Sequence, residues 1–258
     1  MKKLVYLSVF HNEQYLNMLR LFVESLALSE TDTNNFDILI FTQDNMVNEI
    51  RKIFEDFNIE VRIECMNLIY SEMKLNQSNQ MINILDASQI SLRIWELNEV
   101  HEYDTFLYLD TDVIITGDLN QILNADLENK LYAEQQRKIR CSDQGRQFFD
   151  FSKIDRKTSG FCAGVLLFKN CNEMKNLFAK TLNHIKEHID SEQEVPRYLE
   201  QPFLVYHAIT DDLYSSALSQ KIKSSGKIMY HFYTCIGKTT RKIKRMNKLL
   251  NELREKVK

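Results

Sequence analysis

Asp110 and Asp112 are the residues whose types and spacing point most directly to chemistry. They sit in the run Asp-Thr-Phe-Leu-Tyr-Leu-Asp-Thr-Asp-Val-Ile-Ile-Thr-Gly-Asp at 104–118. Residues 105–109 read as a buried strand, 113–115 as a second short apolar run, and Gly117 as a turn. Acids are rarely buried without a cationic partner. Residues i and i+2 of a strand point the same way, so both carboxylates are expected to grip one divalent ion. One or two carboxylates, with a substrate's phosphates completing the shell, suit Mg²⁺ or Mn²⁺. The plainer alternative is a turn whose Asx side chains bond the backbone.

Three apolar segments precede these acids. Residues 3–10 and 36–42 read as buried strands, and 59–65 alternates as a strand nearer an edge. Between them Leu16, Leu19, Phe22, Val23 and Leu26, then Met46, Ile50, Ile53 and Phe57, recur at helical spacing. This β-α-β-α-β order predicts a parallel sheet with helices on both faces. Ligands in such sheets bind at the carboxyl ends of the strands, which brings Val9 and Asn12 to the same edge as the acids. Residues 66–84 read as a long loop or ragged helix. Ala87, Ile90, Ile94 and Leu97 then define a helix carrying Arg93. Further strands are expected at 130–136, 161–168 and 227–233, with an irregular loop at 137–157. Gly164 lies inside the second of these, 161–168, and a strand glycine often marks a close approach by a ligand or another backbone. Glu200-Gln201-Pro202 opens a short helix, with proline suited to its first turn.

Composition sets wider bounds. The chain has 258 residues, 44% hydrophobic and 27% charged, as in an ordinary globular protein. No repeat or linker divides it, so one domain over 1–258 is expected. A net charge of −3 gives no global bias toward nucleic acid. Five cysteines without Cys-x-x-Cys spacing argue for free thiols in a reducing compartment. No signal peptide or membrane span is evident, so a cytoplasmic location is expected. Residues 238–258 hold nine Lys or Arg and two Glu. Ile243, Met246, Leu249, Leu250 and Leu253 recur there at helical spacing. This basic helix either caps the core or lies on an anionic membrane surface.

Taken in order, these segments resemble glycosyltransferase family 8, the glycogenin-like and lipopolysaccharide-galactosyltransferase-like enzymes of GT-A fold. The likeness runs through Arg93 and Tyr-Leu-Asp-Thr-Asp-Val at 108–113. It continues in Ser-Gly-Phe-Cys-Ala-Gly-Val-Leu-Leu-Phe at 159–168, then Glu200-Gln201-Pro202, His231-Phe232 and Gly237-Lys238. It implies an α/β protein of GT-A type, with a mostly parallel central sheet flanked by helices and a Rossmann-like N-terminal nucleotide-binding half. It implies a nucleotide-diphosphate sugar donor, in the first place a UDP-sugar, with Mn²⁺ (or Mg²⁺) and retention at the anomeric carbon. Asp110, Asp112 and His231 would hold the metal. Val9, Asn12, Arg93, Asp110, Thr111 and Lys238 would contact the donor, with Arg93 holding the nucleotide or locking Asp110 by a charge-assisted bond. Glu200 and Gln201 would stand at the sugar. The acceptor would be a glycan, a protein or a lipid-linked molecule.

Each role has a plainer counterpart. His231 fits a core histidine, Arg93 a solvated helix residue, Glu200 a helix N-terminal acid and Lys238 part of the basic tail. Two departures from the family stand out. Its strand asparagine is Cys162 here, and its Pro-Trp after the tail lysine is absent. Two other functions remain open. A haloacid-dehalogenase-like phosphohydrolase also uses Asp-x-Asp, but near its N-terminus and followed by Gly-Thr. The other is a sugar-nucleotide-binding protein without catalysis.

Overall fold

The structure, a computed structural model, describes residues 2–10, 13–69, 79–191, 193–196, 198–223, 226–233 and 239–257, with backbone only at 79–83 and 257. Asn12, Lys238 and residues 70–78 of the expected loop or ragged helix at 66–84 lie outside the described residues, and 79–84 begin α3. In chain order the elements are β1 (Lys3–Ser8), α1 (Glu13–Leu28), β2 (Asp37–Thr42), α2 (Val47–Glu55), β3 (Arg62–Cys65), α3 (Asn79–Ser88), β4 (Thr105–Leu109) and β5 (Val113–Ile115). Then follow α4 (Asn120–Leu123), β6 (Leu131–Lys138), β7 (Ser159–Lys169), α5 (Asn172–Asp190), α6 (Gln201–Thr210), β8 (Tyr214–Ser215), α7 (Ser219–Ile222), β9 (Met229–His231) and α8 (Thr239–Val257).

The central sheet has the order β3-β2-β1-β4-β7-β6-β8. All its strands run one way except β7, which is antiparallel to both β4 and β6. The strands are apolar throughout because both faces are covered. Leu4, Tyr6, Phe106, Tyr108 and Phe168 point to one face, against α5, α6 and the 3₁₀ segment Gln89–Glu96. Val5, Leu7, Leu107, Leu109 and Leu167 alternate to the other, against α1 and α2.

Most expected elements form, with differences at their ends. The helix expected around Arg93 is 3₁₀ rather than α, and non-helical backbone at Arg93 itself (φ −92°, ψ 17°) kinks it. The last strand is only Met229–His231, because among the described residues it pairs with the three-residue β5 alone. The expected loop at 137–157 holds two short 3₁₀ turns, Ser142–Gln144 and Arg146–Phe148. The two-residue β8 carries too little pattern to be read from sequence.

The β5–β9 ribbon sits outside the main sheet and is anchored on α1. Ser25, fully buried, donates to the Phe22 carbonyl (2.7 Å) and accepts from the Ile115 amide (2.9 Å). In the ribbon, Val113 faces His231, and the Phe232 amide donates to the Asp112 carbonyl at 3.0 Å. This register is what sets His231 beside Asp112. Helix α8 then closes over the ribbon. Its Met246 and Leu250 are buried with Met18 and Leu21 of α1, Ile114 and Phe232. Ser25→Ala leaves the Ile115 amide buried without a partner, so it should cost about 1–3 kcal/mol in chemical denaturation. An unchanged midpoint and slope would show that the ribbon is held otherwise.

Candidate active site

Strand β4 ends at Leu109, so the strand alternation expected for the two acids is not what aligns them. A tight turn does, in which the Val113 amide donates to the Asp110 carbonyl at 3.3 Å. Thr111 is buried inside that turn. The turn is pinned to β7 by the Asp110 amide, which donates to the Gly164 carbonyl at 2.8 Å.

The result is a three-residue cluster. One ligand atom each from Asp110, Asp112 and His231 lies within 4.8 Å of the others. His231 Nε2 is 3.0 Å from Asp112 Oδ1 and 3.4 Å from Asp110 Oδ2. Asp112 Oδ1 and His231 Nε2 are buried and make no hydrogen bond, despite their closeness. They meet as an ion pair at 3.0 Å rather than as a hydrogen bond. Burial alone would push the Asp112 carboxyl up, but His231 and Lys242 outweigh it and hold it well below its usual range. Burial alone would lower His231, but Asp112 outweighs it and favours positive charge. Two carboxylates and an imidazole, with ligand atoms within 4.8 Å of one another, are a donor set that suits Mn²⁺.

The atoms facing away from that point are also engaged. Tyr108 donates its hydroxyl to Asp110 Oδ1 at 2.8 Å, and Ser8 Oγ is 3.1 Å from the same hydroxyl. Lys242 of α8 is hydrogen-bonded to Asp112 Oδ2. Cys162 Sγ lies 3.8 Å from His231 Nδ1. Gly164 supplies the room. A β-carbon there would stand 2.2 Å from His231 Cε1 and 2.4 Å from Asp110 Oδ2. The close approach expected at this strand glycine is made by the two ligand side chains.

The other sequence candidates divide. Glu200, half-buried at the start of α6, is near enough for the Asp110 charge to act on it. Burial pushes its carboxyl up to about 7, with Ser88 pulling the other way and Asp110 adding to the rise. The residue before it, Leu199, has φ +55°, a strained conformation for a leucine. Gln201 braces two segments. Its Oε1 accepts from the Ala163 amide at 3.1 Å, and its Nε2 donates to the Asp143 carbonyl at 2.8 Å. Val9 is buried at the end of β1, with its carbonyl accepting from Thr42 Oγ1 at 2.7 Å.

Arg93 departs from expectation. Its guanidinium forks onto Glu96 (2.7 and 2.6 Å) and donates to the Asn67 carbonyl (2.7 Å) instead of locking Asp110. The kinked 3₁₀ turn puts Glu96 in reach three residues on, and the planar fork fits one carboxylate at a time. Lys242 and Tyr108 are the site residues that sequence reasoning missed. A signal for Lys242 was present, because it lies four residues before Met246 and so on the inward stripe of α8.

The model of glycosyl transferase family 8 matches residues 7–208. This chain belongs to glycosyl transferase family 8. It is a glycosyltransferase, and the phosphohydrolase reading of its two aspartates is set aside. Among solved structures, the galactosyltransferase LgtC in complex with donor and acceptor sugar analogues superposes with a TM-score of 0.63 at 15% identity, over 98% of this chain and 96% of that one. Apo mouse xyloside xylosyltransferase 1 gives 0.62 at 12%, over 91% and 98%. The glycosyltransferase GlyE of Streptococcus pneumoniae TIGR4 gives 0.51 at 18%, over 99% and 64%. At these identities the likeness establishes the GT-A fold. No curated protein sequence matches significantly.

Two outcomes follow for this family 8 site. Gly164→Ala should lower transferase activity by about 10²-fold or more, through displacement of a ligand side chain by roughly 1 Å, while circular dichroism shows the fold retained. Wild-type activity in that variant would mean the cluster tolerates the shift. For Glu200 the folded carboxyl binds its proton more tightly than the unfolded one. Its contribution to stability is therefore full below pH 4.5 and lost as pH rises through about 7. Denaturation across that window should show a smaller decline for Glu200→Gln than for wild type. Equal declines would place the Glu200 carboxyl in a solvated setting.

Proposed function

We propose that the enzyme transfers a sugar from a nucleotide-diphosphate sugar, in the first place a UDP-sugar, to an acceptor with retention at the anomeric carbon. The observation carrying this reading is the cluster of one ligand atom each from Asp110, Asp112 and His231 within 4.8 Å, in which Asp112 Oδ1 and His231 Nε2 are buried and make no hydrogen bond. Asp110, Asp112 and His231 hold Mn²⁺ (or Mg²⁺) there. Such an ion would neutralise charge developing on the diphosphate as the sugar bond breaks.

The chain's own residues then orient and screen. Val9, at the carboxyl end of β1, and Thr111, in the turn, line the nucleotide side through their main chains. Asn12 and Lys238 are proposed to join them. Arg93, held by Glu96, acts on the nucleotide only through the segment it braces. Glu200 stands at the sugar and, once ionised, steadies positive character at the anomeric carbon. Gln201 keeps one N–H and one lone pair beyond its two main-chain bonds, enough to orient a sugar hydroxyl.

The acceptor is a glycan, a protein or a lipid-linked molecule. Among the described residues no helix is long and apolar enough to cross a membrane. The apolar stripe of α8 is spent on α1, while Arg241, Lys244, Arg245, Lys248 and Arg254 are exposed. Any membrane contact through α8 is therefore electrostatic and peripheral, at the surface of the cytoplasm. One transferase domain over 1–258, with no nucleic-acid partner, completes the reading.

Thermal shift with a panel of nucleotide-diphosphate sugars, each with and without Mn²⁺, tests the proposal. Ligands that bind the native state raise apparent stability by mass action. One nucleotide should give a Mn²⁺-dependent rise, absent in a folded Asp112→Ala variant. No rise with any donor at any metal concentration would overturn the reading. A rise without turnover toward water or any acceptor would leave a binding protein that has lost catalysis.

A further inference from the structure

We infer that Cys162 is the residue that fixes the ring of His231 for metal binding, by accepting the Nδ1 proton on the side of the imidazole away from the ion. This rests on the metal-centre reading above and adds a residue to it. A neutral imidazole carries one N–H, and a metal needs the lone pair of the other nitrogen. If Nε2 faces the ion, the proton must sit on Nδ1 and must be received by something. The hydrogen-bond partner the structure gives Nδ1 is Cys162 Sγ, at 3.8 Å. Ligating histidines donate this second N–H to a neighbouring acceptor, which fixes both tautomer and ring orientation.

The strand geometry makes the arrangement specific. Cys162 and Gly164 are i and i+2 on β7, so they present to the same face. The His231 ring lies across that face. Gly164 leaves space under Cε1 and Nε2, where a β-carbon would stand 2.2 and 2.8 Å away. Cys162 meets the ring at its opposite nitrogen. The pair thus sets both where the imidazole can lie and how it is turned. Cys162 is 5% exposed and His231 3%, so water has little access to replace the sulfur. The thiol lies behind the ring and outside the three-residue ligand cluster, so it is a positioning residue and not a ligand. Tyr108 and Lys242 play the matching part for the two aspartates. The sulfur is a weak acceptor, so a stronger one at this position would hold the ring at least as well.

The test uses the full chain and Mn²⁺ alone, with free Mn²⁺ read by electron paramagnetic resonance. Cys162→Ala removes the acceptor and should weaken Mn²⁺ binding by about 10–100-fold, the usual cost of losing such a partner. Cys162→Ser keeps an acceptor of similar shape and should bind nearer to wild type than to the alanine variant. If alanine lowers the melting temperature, Cys162→Val keeps the volume without the acceptor and takes its place. Equal binding by the wild type and the acceptor-less variant would overturn the inference. So would a serine variant as weak as alanine, since packing alone would then be at work. A thiolate-to-metal absorption band on adding Co²⁺ to wild type, absent in Cys162→Ala, would make Cys162 a ligand and also overturn it. Failure of the wild type to bind Mn²⁺ at all would instead bring down the metal-centre reading itself, and the inference with it.

Discussion

The structure is arranged around keeping two carboxylates and an imidazole together, with two of the three, Asp112 and His231, almost sealed from water. Asp112 and His231 are 4% and 3% exposed, and Asp110 adds a second negative charge beside them. A buried carboxylate without compensation costs several kcal/mol. The fold meets that cost from behind. Tyr108, Lys242 and Cys162 hold the rear atom of each ligand, which leaves the front atoms converging. The front atoms are the ones proposed above to take a divalent ion.

The sheet supplies the positions. Strand β4 delivers Asp110, and the turn after it delivers Asp112. The reversed strand β7 crosses beside them and contributes Gly164 and Cys162 on one face. The small β5–β9 ribbon carries His231 into register, and Ser25 ties that ribbon to α1. Helix α8 is then more than a cap. Its outer face is basic, but its inward stripe places Lys242 on Asp112, so the C-terminal helix is coupled to the cluster of Asp110, Asp112 and His231. Leu199, in a strained left-handed conformation, directly precedes Glu200, the site carboxyl whose proton affinity is raised toward neutrality.

Much of this could be read in the sequence because the signals were local. Continuous apolar runs predicted strands covered on both faces, and the β-α-β-α-β succession predicted that the first three run parallel. Asp110, Asp112 and His231 were singled out by type and resemblance, and Gly164 by its place inside a strand. What could not be read depended on contacts between distant segments. Arg93 was expected to hold the nucleotide or lock Asp110, and a kink that no periodicity shows rules out the second by giving it to Glu96. Lys242 looked like one of many tail cations, although its inward helical position already required a partner. Gln201 was expected at the sugar, yet its amide is first used to brace β7. Alternation along a strand was the wrong reason for the alignment of the two acids, since a turn brings them together.

The measurement that bears most directly on the central claim is an anomalous difference map from crystals grown with Mn²⁺ and UDP. The account predicts one strong manganese peak bounded by Asp110 Oδ2, Asp112 Oδ1 and His231 Nε2, with the nucleotide's phosphates on its open side. Bound nucleotide with no manganese peak there, or with the ion held by other residues, would contradict it.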